Sequence, residues 1–344
     1  MSGDGYRVGV LGATGLVGTR ILEILAERSF PVAELRPLAS ARSAGKEIEW
    51  NGEPVTVQEL GEETIQGLDV VLSSAGGKVS AEWTPKIVAA GATVVDNTSY
   101  WRMRDDVPLV VSEVNPEALD GHRGIIANPN CSTMQMVVAL KPLFDAAGIE
   151  RLVVSTYQAV SGTGKAAVDE LTEQSRAVLE GREAEASIYP HQIAFNVLAQ
   201  AGSFAAGDDH TDEERKLINE TRKILGDQSI RVSATCIRVP VVTGHSEAVN
   251  VETREPLAPE RARELLAAAP GVKVVDEPGA ARFPMAIEAA GRDEVLVGRI
   301  RRDPGNERAL DMWIVADNLR KGAATNTVQL AELLHERGLV GVPA

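Results

Sequence analysis

The sequence predicts an α/β protein whose amino-terminal half is a parallel, doubly wound sheet, and three observations predict it. An apolar run, Tyr6 to Leu11 (YRVGVL), leads at once into Gly12-Ala13-Thr14-Gly15-Leu16-Val17-Gly18 and then an amphipathic stretch to about Glu27. Further strand-like segments recur at 33–38 (AELRPL), 69–73 (DVVLS), 93–96 (TVVD) and 124–127, with helical patterns between several of them. Such alternation is the signature of parallel strands joined by crossover helices. The length of 344 residues adds a prior of about two domains, each with enough interior for an ordinary core.

The first strand and glycine turn form an anion site in embryo. Glycines let the backbone turn tightly and approach a diphosphate, whose charge then sits on the unpaired amides of the following helix. The spacing is GxxGxxG, not GxGxxG, so the same residues also read as a turn packing helix on strand. The second strand narrows the choice of nucleotide. Glu34 stands at roughly the distance where an acidic side chain holds a ribose 2′-hydroxyl, but it begins the strand and does not end it. The strand leads instead into Ala39-Ser40-Ala41-Arg42-Ser43, small hydroxyl residues around a guanidinium, which suits a 2′-phosphate and hence NADP. Without the glycine turn, Arg42 would be an ordinary solvated cation. The loop Ser73-Ser74-Ala75-Gly76-Gly77 is small and flat, as a cofactor-lining segment is, and as many loops are.

Asn128-Pro129-Asn130 is a turn signal, and Cys131 to about Phe144 reads as a helix with Met134, Val137, Val138 and Leu140 along its buried side. Cys131 therefore occupies a helix amino terminus, where the partial positive charge favours the thiolate that attacks carbonyls. The alternative is a small buried filler. Cys236 serves as a control: the alternation in 230–241 (IRVSATCIRVPV) reads as a strand with Val232, Ala234 and Cys236 on one face, so Cys236 is assigned to the core. Arg238 continues that face, and a buried guanidinium requires a carboxylate or phosphate partner, from the protein or from a ligand. His245, in Thr243-Gly244-His245-Ser246, turns into the next strand and is the histidine nearest in sequence to that arginine; imidazole exchanges protons near neutrality, although loop histidines are commonly surface residues. Thr211 with Glu214 forms a capping box on a helix running to Gly226. On that helix Glu213 and Lys216 share a face and read as an exposed ion pair. The apolar spacing of Asn326 to Arg337 (NTVQLAELLHER) predicts a closing helix.

Composition excludes several classes of function. With 49 acidic against 35 basic residues and a net charge of -14, nucleic acid is an unfavourable partner, and any small bound anion needs a local reversal of that field. No apolar run approaches the roughly 20 residues that span a bilayer, and no basic-plus-apolar leader is present, so the expectation is a soluble cytoplasmic protein with no membrane partner. Two cysteines without CxxC or a His/Cys cluster predict neither a disulfide framework nor a metal site.

Taken in order, GATGLVG at 12–18, ASARSAGK at 39–46, DNTSYWR at 96–102, NPNCST at 128–133, TYQAVSGTG at 156–164, SATCIRVPV at 233–241 and GHSE at 244–247 resemble aspartate-semialdehyde dehydrogenase, from about residue 6 to 338. The likeness is greater to the Gram-positive and actinobacterial members than to the enterobacterial type. The resemblance implies a Rossmann-like NADP-binding domain over 1–130, completed by 318–344 with a returning helix over about 318–337. It also implies an α+β catalytic and dimerisation domain over 131–317, hence a homodimer. Cys131 would be the nucleophile, Gln158 would orient the substrate, and His245 would be the general acid/base. Arg238 would bind the substrate carboxylate and Glu213 its amino group, while Arg102, Lys216 and Asn130 would bind phosphate. Gly12, Thr14, Gly15, Leu16, Val17, Arg42, Ser43, Ser161, Gly162 and Asn318 would hold NADP. The implied reaction is NADPH-dependent reductive dephosphorylation of aspartyl phosphate through a Cys131 thioester, with helix amides near Cys131 holding the oxyanion. Lys165 and Arg104 lie outside this set, and 181–210 is the stretch where the family varies in length. Two rivals remain at this point: a reductase of another acyl phosphate such as N-acetylglutamyl phosphate, against which Arg238 with Glu213 argues, and a nucleotide-binding sensor without turnover.

Overall fold

The computed structural model describes residues 5–341, so the outermost residues of the expected nucleotide domain, 1–4 and 342–344, lie outside the described residues. The chain divides into two compact units, 1–129 with 323–344, and 130–322.

The first unit holds β1 (Tyr6–Leu11), α1 (Leu16–Glu27), β2 (Val32–Ala39), the two-residue β3 (Gln58–Glu59), β4 (Val70–Ser73), α2 (Gly77–Ala89), β5 (Thr93–Asp96) and β6 (Ile125–Ala127). A small hairpin, Glu47–Trp50 with Glu53–Thr56, intervenes before β3. All six strands pair in parallel, in the order β3-β2-β1-β4-β5-β6. The strands run apolar because both faces are covered: β4 and β5 are buried at every residue. Ile21, Ile24 and Leu25 of α1 pack on one face with Val328, Leu330 and Leu334 of the last helix, while Ile87 of α2 packs on the other with Leu11, Val71 and Val94. The order reverses direction between β1 and β4, so their carboxyl-end loops, Gly12–Gly15 and Ser74–Gly76, flank a topological switch point where such sheets bind ligands.

The second unit begins with α3 (Cys131–Ala147) and continues through β7 (Ile149–Gln158), α4 (Lys165–Leu179), α5 (Asp212–Leu225), β8 (Arg231–Arg238), β9 (His245–Thr253), α6 (Pro259–Ala268), β10 (Val272–Val274), β11 (Val295–Asp303) and β12 (Asn306–Ala316). The mixed sheet runs β8-β7-β9-β12-β11-β10, with α3 laid across one face. Strands β7 and β9 alternate buried and half-buried residues, which puts Thr156, Gln158, His245 and Glu247 on the buried face. Register then sets neighbours: Gln158 lies beside Arg238 in the parallel pair β7/β8, and Ser246 beside Tyr157 in the antiparallel pair β7/β9.

Some elements differ from expectation at their ends. Strand β8 stops at Arg238 and not at Val241, because Pro240 lacks the amide a continuing ladder needs. The closing helix, expected from about 318, begins as a π-helical turn over Arg320–Thr325 and becomes α-helical only in α7 (Asn326–Glu336).

The glycine turn gives the first test. Gly12 has φ +83°, and a Cβ on Gly18 would collide with the Gly12 carbonyl oxygen and Ala13 Cα. Gly18→Ala is therefore expected to displace the turn, lowering stability by about 1–3 kcal/mol in thermal or urea unfolding.

Candidate active site

Asn130 is the N-cap of α3, its Oδ1 accepting from the amides of Ser132 (3.0 Å) and Thr133 (3.1 Å). Met134 N bonds the Asn130 carbonyl at 2.8 Å. Cys131 thus stands at the first turn with partial exposure, as the turn signal predicted, in contrast to the buried Cys236; neither forms a disulfide. The amides of Ser132 and Thr133 are thereby paired with the Asn130 side chain.

The Asn130 side chain faces a carboxylate, its Nδ2 donating to Glu213 Oε1 at 2.8 Å. Gln158 Nε2 donates to the same oxygen at 2.9 Å, and Lys216 Nζ meets Oε2 at 3.1 Å. Glu213 is only 8% exposed, so its sequence reading as half of an exposed ion pair does not hold. Burial alone would raise its pKa; the Lys216 charge and the bonds from Gln158, Asn130 and Lys216 outweigh it and bring it down to about 2. Lys216 also binds Asp212 at 2.6 Å. Thr211 and Glu214 complete the capping box on α5 that the sequence predicted.

On the far side of Gln158, Ala159 joins two more of the predicted residues. Its carbonyl accepts from Arg238 Nη1 at 2.8 Å, and its amide donates to His245 Nδ1 at 2.9 Å. A Cβ on Gly162 would lie 3.2 Å from His245 Nε2 and 3.3 Å from Arg238 Nη1, so the loop packs closely over both. Arg238 is 6% exposed, and among the described residues its Nε has no partner and no carboxylate lies within ion-pair distance of it. The Tyr189 ring also lies near it, 6.0 Å away. The partner that a strand guanidinium demands is not supplied by the described residues.

His245 is fully buried, and desolvation, then the Arg238 charge, lowers its pKa to about 3 despite Glu213. The imidazole is neutral, and because Nδ1 accepts from Ala159, the proton sits on Nε2, which has no partner among the described residues. The neutral ring thus has its acceptor nitrogen engaged and its N–H unpaired among the described residues. Asn318 lines the same region: its Nδ2 donates to Ser161 Oγ at 2.9 Å and its Oδ1 accepts from Gly244 N at 2.9 Å, next to His245. Gly322 packs on Cys131, where a Cβ would fall 2.8 Å from that of the cysteine. Cys131, Asn130, Gln158, Glu213, Lys216, Arg238, His245, Ser161, Gly162 and Asn318 are therefore one connected cluster within the second unit.

Arg102 belongs to the first unit. It is buried, with Nε on the Asn128 carbonyl (2.9 Å) and Nη2 on the Asn97 carbonyl (2.7 Å), so DNTSYWR works as a device that fixes one guanidinium. In that unit the Gly12–Gly18 turn meets the second loop, Thr14 Oγ1 lying 3.5 Å from the buried Ser43. Arg42 beside it is exposed. Helix α1 has no side-chain cap, and its first internal bond is Thr19 N to Gly15 O, so the amides of Leu16, Val17 and Gly18 precede any intrahelical pairing. This is the opposite of α3 and α5, and it fits a bound diphosphate.

Three residues of the cluster carry no sequence assignment. Glu220, two turns beyond Glu213 on α5, accepts from the Asn130 amide at 2.7 Å, so helical spacing was a usable signal. Gln135, one turn beyond Cys131, donates to the His245 carbonyl at 3.3 Å. Glu247, inside the GHSE motif, is buried beside them. Among the described residues no group of His, Cys, Asp and Glu can hold a metal, and no helix is long and apolar enough to cross a membrane.

A parallel nucleotide-type sheet with an uncapped glycine-turn helix, plus a second unit that presents a capped cysteine among buried charges, defines a dinucleotide-dependent oxidoreductase with a thiol. Residues 7–122 match the semialdehyde dehydrogenase NAD binding domain, and 140–321 its dimerisation domain. The chain is 56% identical to aspartate-semialdehyde dehydrogenase of Aquifex aeolicus over 98% of its length and all of that protein's, and 47% identical to that of Bacillus subtilis, with 98% and 100% covered. Among solved structures, aspartate semialdehyde dehydrogenase II of Vibrio cholerae superposes with TM-score 0.93 at 49% identity, covering 96% of this chain and 99% of that one, and has also been solved complexed with ASA. The Candida albicans enzyme with NADP superposes at 0.74 with 28% identity, covering 98% and 100%. The chain belongs to the aspartate-semialdehyde dehydrogenase family.

The buried imidazole makes a pH test. A folded-state pKa near 3 against an ordinary 6.5 means the unfolded chain binds the proton first, so stability from this group is complete above about pH 6.5 and is lost as pH falls toward 3. Between about pH 6 and 5, above the range in which Glu213 titrates, wild-type unfolding free energy is expected to fall more steeply than that of His245→Asn, by up to about 1.4 kcal/mol per pH unit in urea titrations. Equal slopes would show that His245 is not held neutral.

Proposed function

We propose that this protein catalyses NADPH-dependent reductive dephosphorylation of L-aspartyl 4-phosphate to L-aspartate 4-semialdehyde, serving biosynthesis of lysine and diaminopimelate, threonine, methionine and isoleucine. The observation that carries it is Arg238, a buried guanidinium with no carboxylate among the described residues to pair with, in one cluster with a cysteine at a helix start. A substrate α-carboxylate supplies the missing charge. Glu213 retains acceptor capacity on Oε2 for the substrate ammonium, and Gln158, fixed by Glu213 and by Thr156, orients the acyl group. Arg102 and the remaining Lys216 donors bind phosphate. Asn130 contributes by holding the cap and Glu213.

The Cys131 thiolate attacks the acyl carbon, the C–O bond to phosphate breaks, and the departing phosphate takes up the one proton the reaction consumes. When bound, NADPH supplies the hydride that reduces the thioester carbonyl. His245 presents its Nε2–H to the oxyanion of the thiohemiacetal, and collapse of that oxyanion breaks the C–S bond, releasing the aldehyde and restoring the thiolate. In the reverse direction the same Nε2–H donates to the oxyanion formed when the thiolate adds to the aldehyde. No net proton passes through the imidazole, which agrees with its neutral state.

Gly12, Thr14, Gly15, Leu16 and Val17, with Arg42, Ser43, Ser161, Gly162 and Asn318, would hold NADP, the Arg42 loop taking the 2′-phosphate. The choice of NADP over NAD rests on Arg42 and on the end of β2, which carries Leu38 and Ala39 where an acidic residue would hold a 2′-hydroxyl. The matched dimerisation domain supports a homodimer, working as a soluble cytoplasmic enzyme.

Cys131→Ser is expected to abolish phosphate-dependent NADP reduction by aspartate semialdehyde, whereas Cys236→Ser, altering a thiol whose pKa burial pushes far upward, largely retains it. Activity in the first variant would sink the mechanism. Arg42→Ala is expected to raise the KM for NADP by about tenfold or more while leaving that for NAD nearly unchanged, as loss of one charge-assisted phosphate contact predicts. Equal effects on the two would remove the 2′-phosphate assignment.

A further inference from the structure

Glu247 is an acidic residue that none of the chemistry above uses, and its surroundings are unusual. It lies on β9 two residues beyond His245 and on the same buried face, opposite Thr156 on β7 and Ile314 on β12. Its exposure is zero, neither carboxyl oxygen has a hydrogen-bond donor in good geometry, and no lysine or arginine among the described residues lies within ion-pair reach. Gln135 of α3 lies beside it, and its amide offsets only part of the effect of burial. An ionised carboxylate in such a place is prohibitively unstable, and burial accordingly pushes this group well above the usual carboxylate range.

Gln135 resolves what the neutral acid does. Cys131 and Gln135 are four apart on α3, so they share a face of the helix. Gln135 Nε2 donates to the His245 carbonyl, while Gln135 Oε1 is buried with no donor. A neutral carboxylic acid has one O–H to give, and this amide oxygen is the acceptor in need of it. A carboxylate would instead draw Nε2 to itself and turn the amide away from His245.

We propose that Glu247 is a positioning residue acting as a neutral acid: its O–H donates to Gln135 Oε1, which keeps Nε2 on the His245 carbonyl and so fixes the imidazole against the helix that carries Cys131. The proposal rests on the assignment of Cys131 and His245 to the reaction, and extends it to the pair that holds them in register. Gln135 becomes a strut between nucleophile and donor, and Glu247 the group that sets its orientation.

The experiment combines infrared spectroscopy with kinetics on the whole protein. The difference spectrum of wild type against Glu247→Gln is expected to contain the carbonyl stretch of a protonated carboxylic acid at pH 7, and in Gln135→Met that band is expected to shift, because the acid has lost its acceptor. Glu247→Leu is expected to lower kcat by about 10- to 100-fold with little change in KM for either substrate, as misplacement of a catalytic group does, and Glu247→Gln, which keeps a neutral donor, to recover most of the loss. Absence of the band, a band indifferent to Gln135→Met, or an unchanged kcat in Glu247→Leu each overturns the proposal. The band reports on Glu247 whatever the protein turns over, so its absence leaves the role of Cys131 standing, and an active Cys131→Ser leaves the band standing.

Discussion

A carboxylate that is nearly inaccessible to water must be surrounded by donors, and in this protein that requirement organises the catalytic cluster. Glu213 collects Asn130, Gln158 and Lys216 from a helix cap, a strand end and its own helix. Each bond has a second consequence. Asn130, held there and by Glu220, caps α3 and so fixes where the Cys131 helix starts. Gln158, held there, sets the end of β7, from which Ala159 reaches both Arg238 and His245. Loss of the carboxylate would leave several buried donors unsatisfied at once, which is why the group is better understood as a hub than as one substrate contact among others.

The second organising fact is a charge left unbalanced. The protein is strongly acidic as a whole, yet Arg238 sits buried with a carbonyl and an aromatic face for company. Its field helps to keep His245 neutral, so that the imidazole offers a hydrogen and no charge of its own. Among the described residues no carboxylate lies within ion-pair distance to balance the arginine. In each unit a buried guanidinium is placed by backbone carbonyls: Arg238 on Ala159 in the second, and Arg102 on Asn97 and Asn128 in the first.

The helix termini show how the same backbone feature is put to different uses. At α1 the first amides are left without side-chain caps, as an anion site needs, whereas at α3 Asn130 takes two of them and at α5 Thr211 and Glu214 form a capping box. At α3 the cap fixes where the Cys131 helix starts, and in the same unit His245 Nε2 has no partner among the described residues. From sequence these termini look alike apart from the cap residues themselves.

Local rules made much of the protein legible. Alternation along β8 put Cys236 in the core and Arg238 on the same face, the Asn128-Pro129-Asn130 turn placed Cys131 at a helix start, and the glycine turn after β1 located the nucleotide end of the parallel sheet. These depend on periodicity and on backbone conformation, which neighbouring residues decide. The ordered motifs then pointed to the family. Only tertiary structure decided the state of each charged group, because burial and partner identity are long-range. Spacing put Glu213 and Lys216 on one helix face, but the convergence of Asn130 and Gln158 on that carboxylate, and of the Ala159 amide on His245 Nδ1, joins residues far apart in the chain. Gln135 and Glu247 lay within stretches whose neighbours drew attention, yet nothing in their spacing showed that a helix and a strand far apart in the chain would bring them together across a dry interior. Sequence determined which residues share a face; the packing of α3 on the sheet determined which faces meet, and with that which protons stay bound.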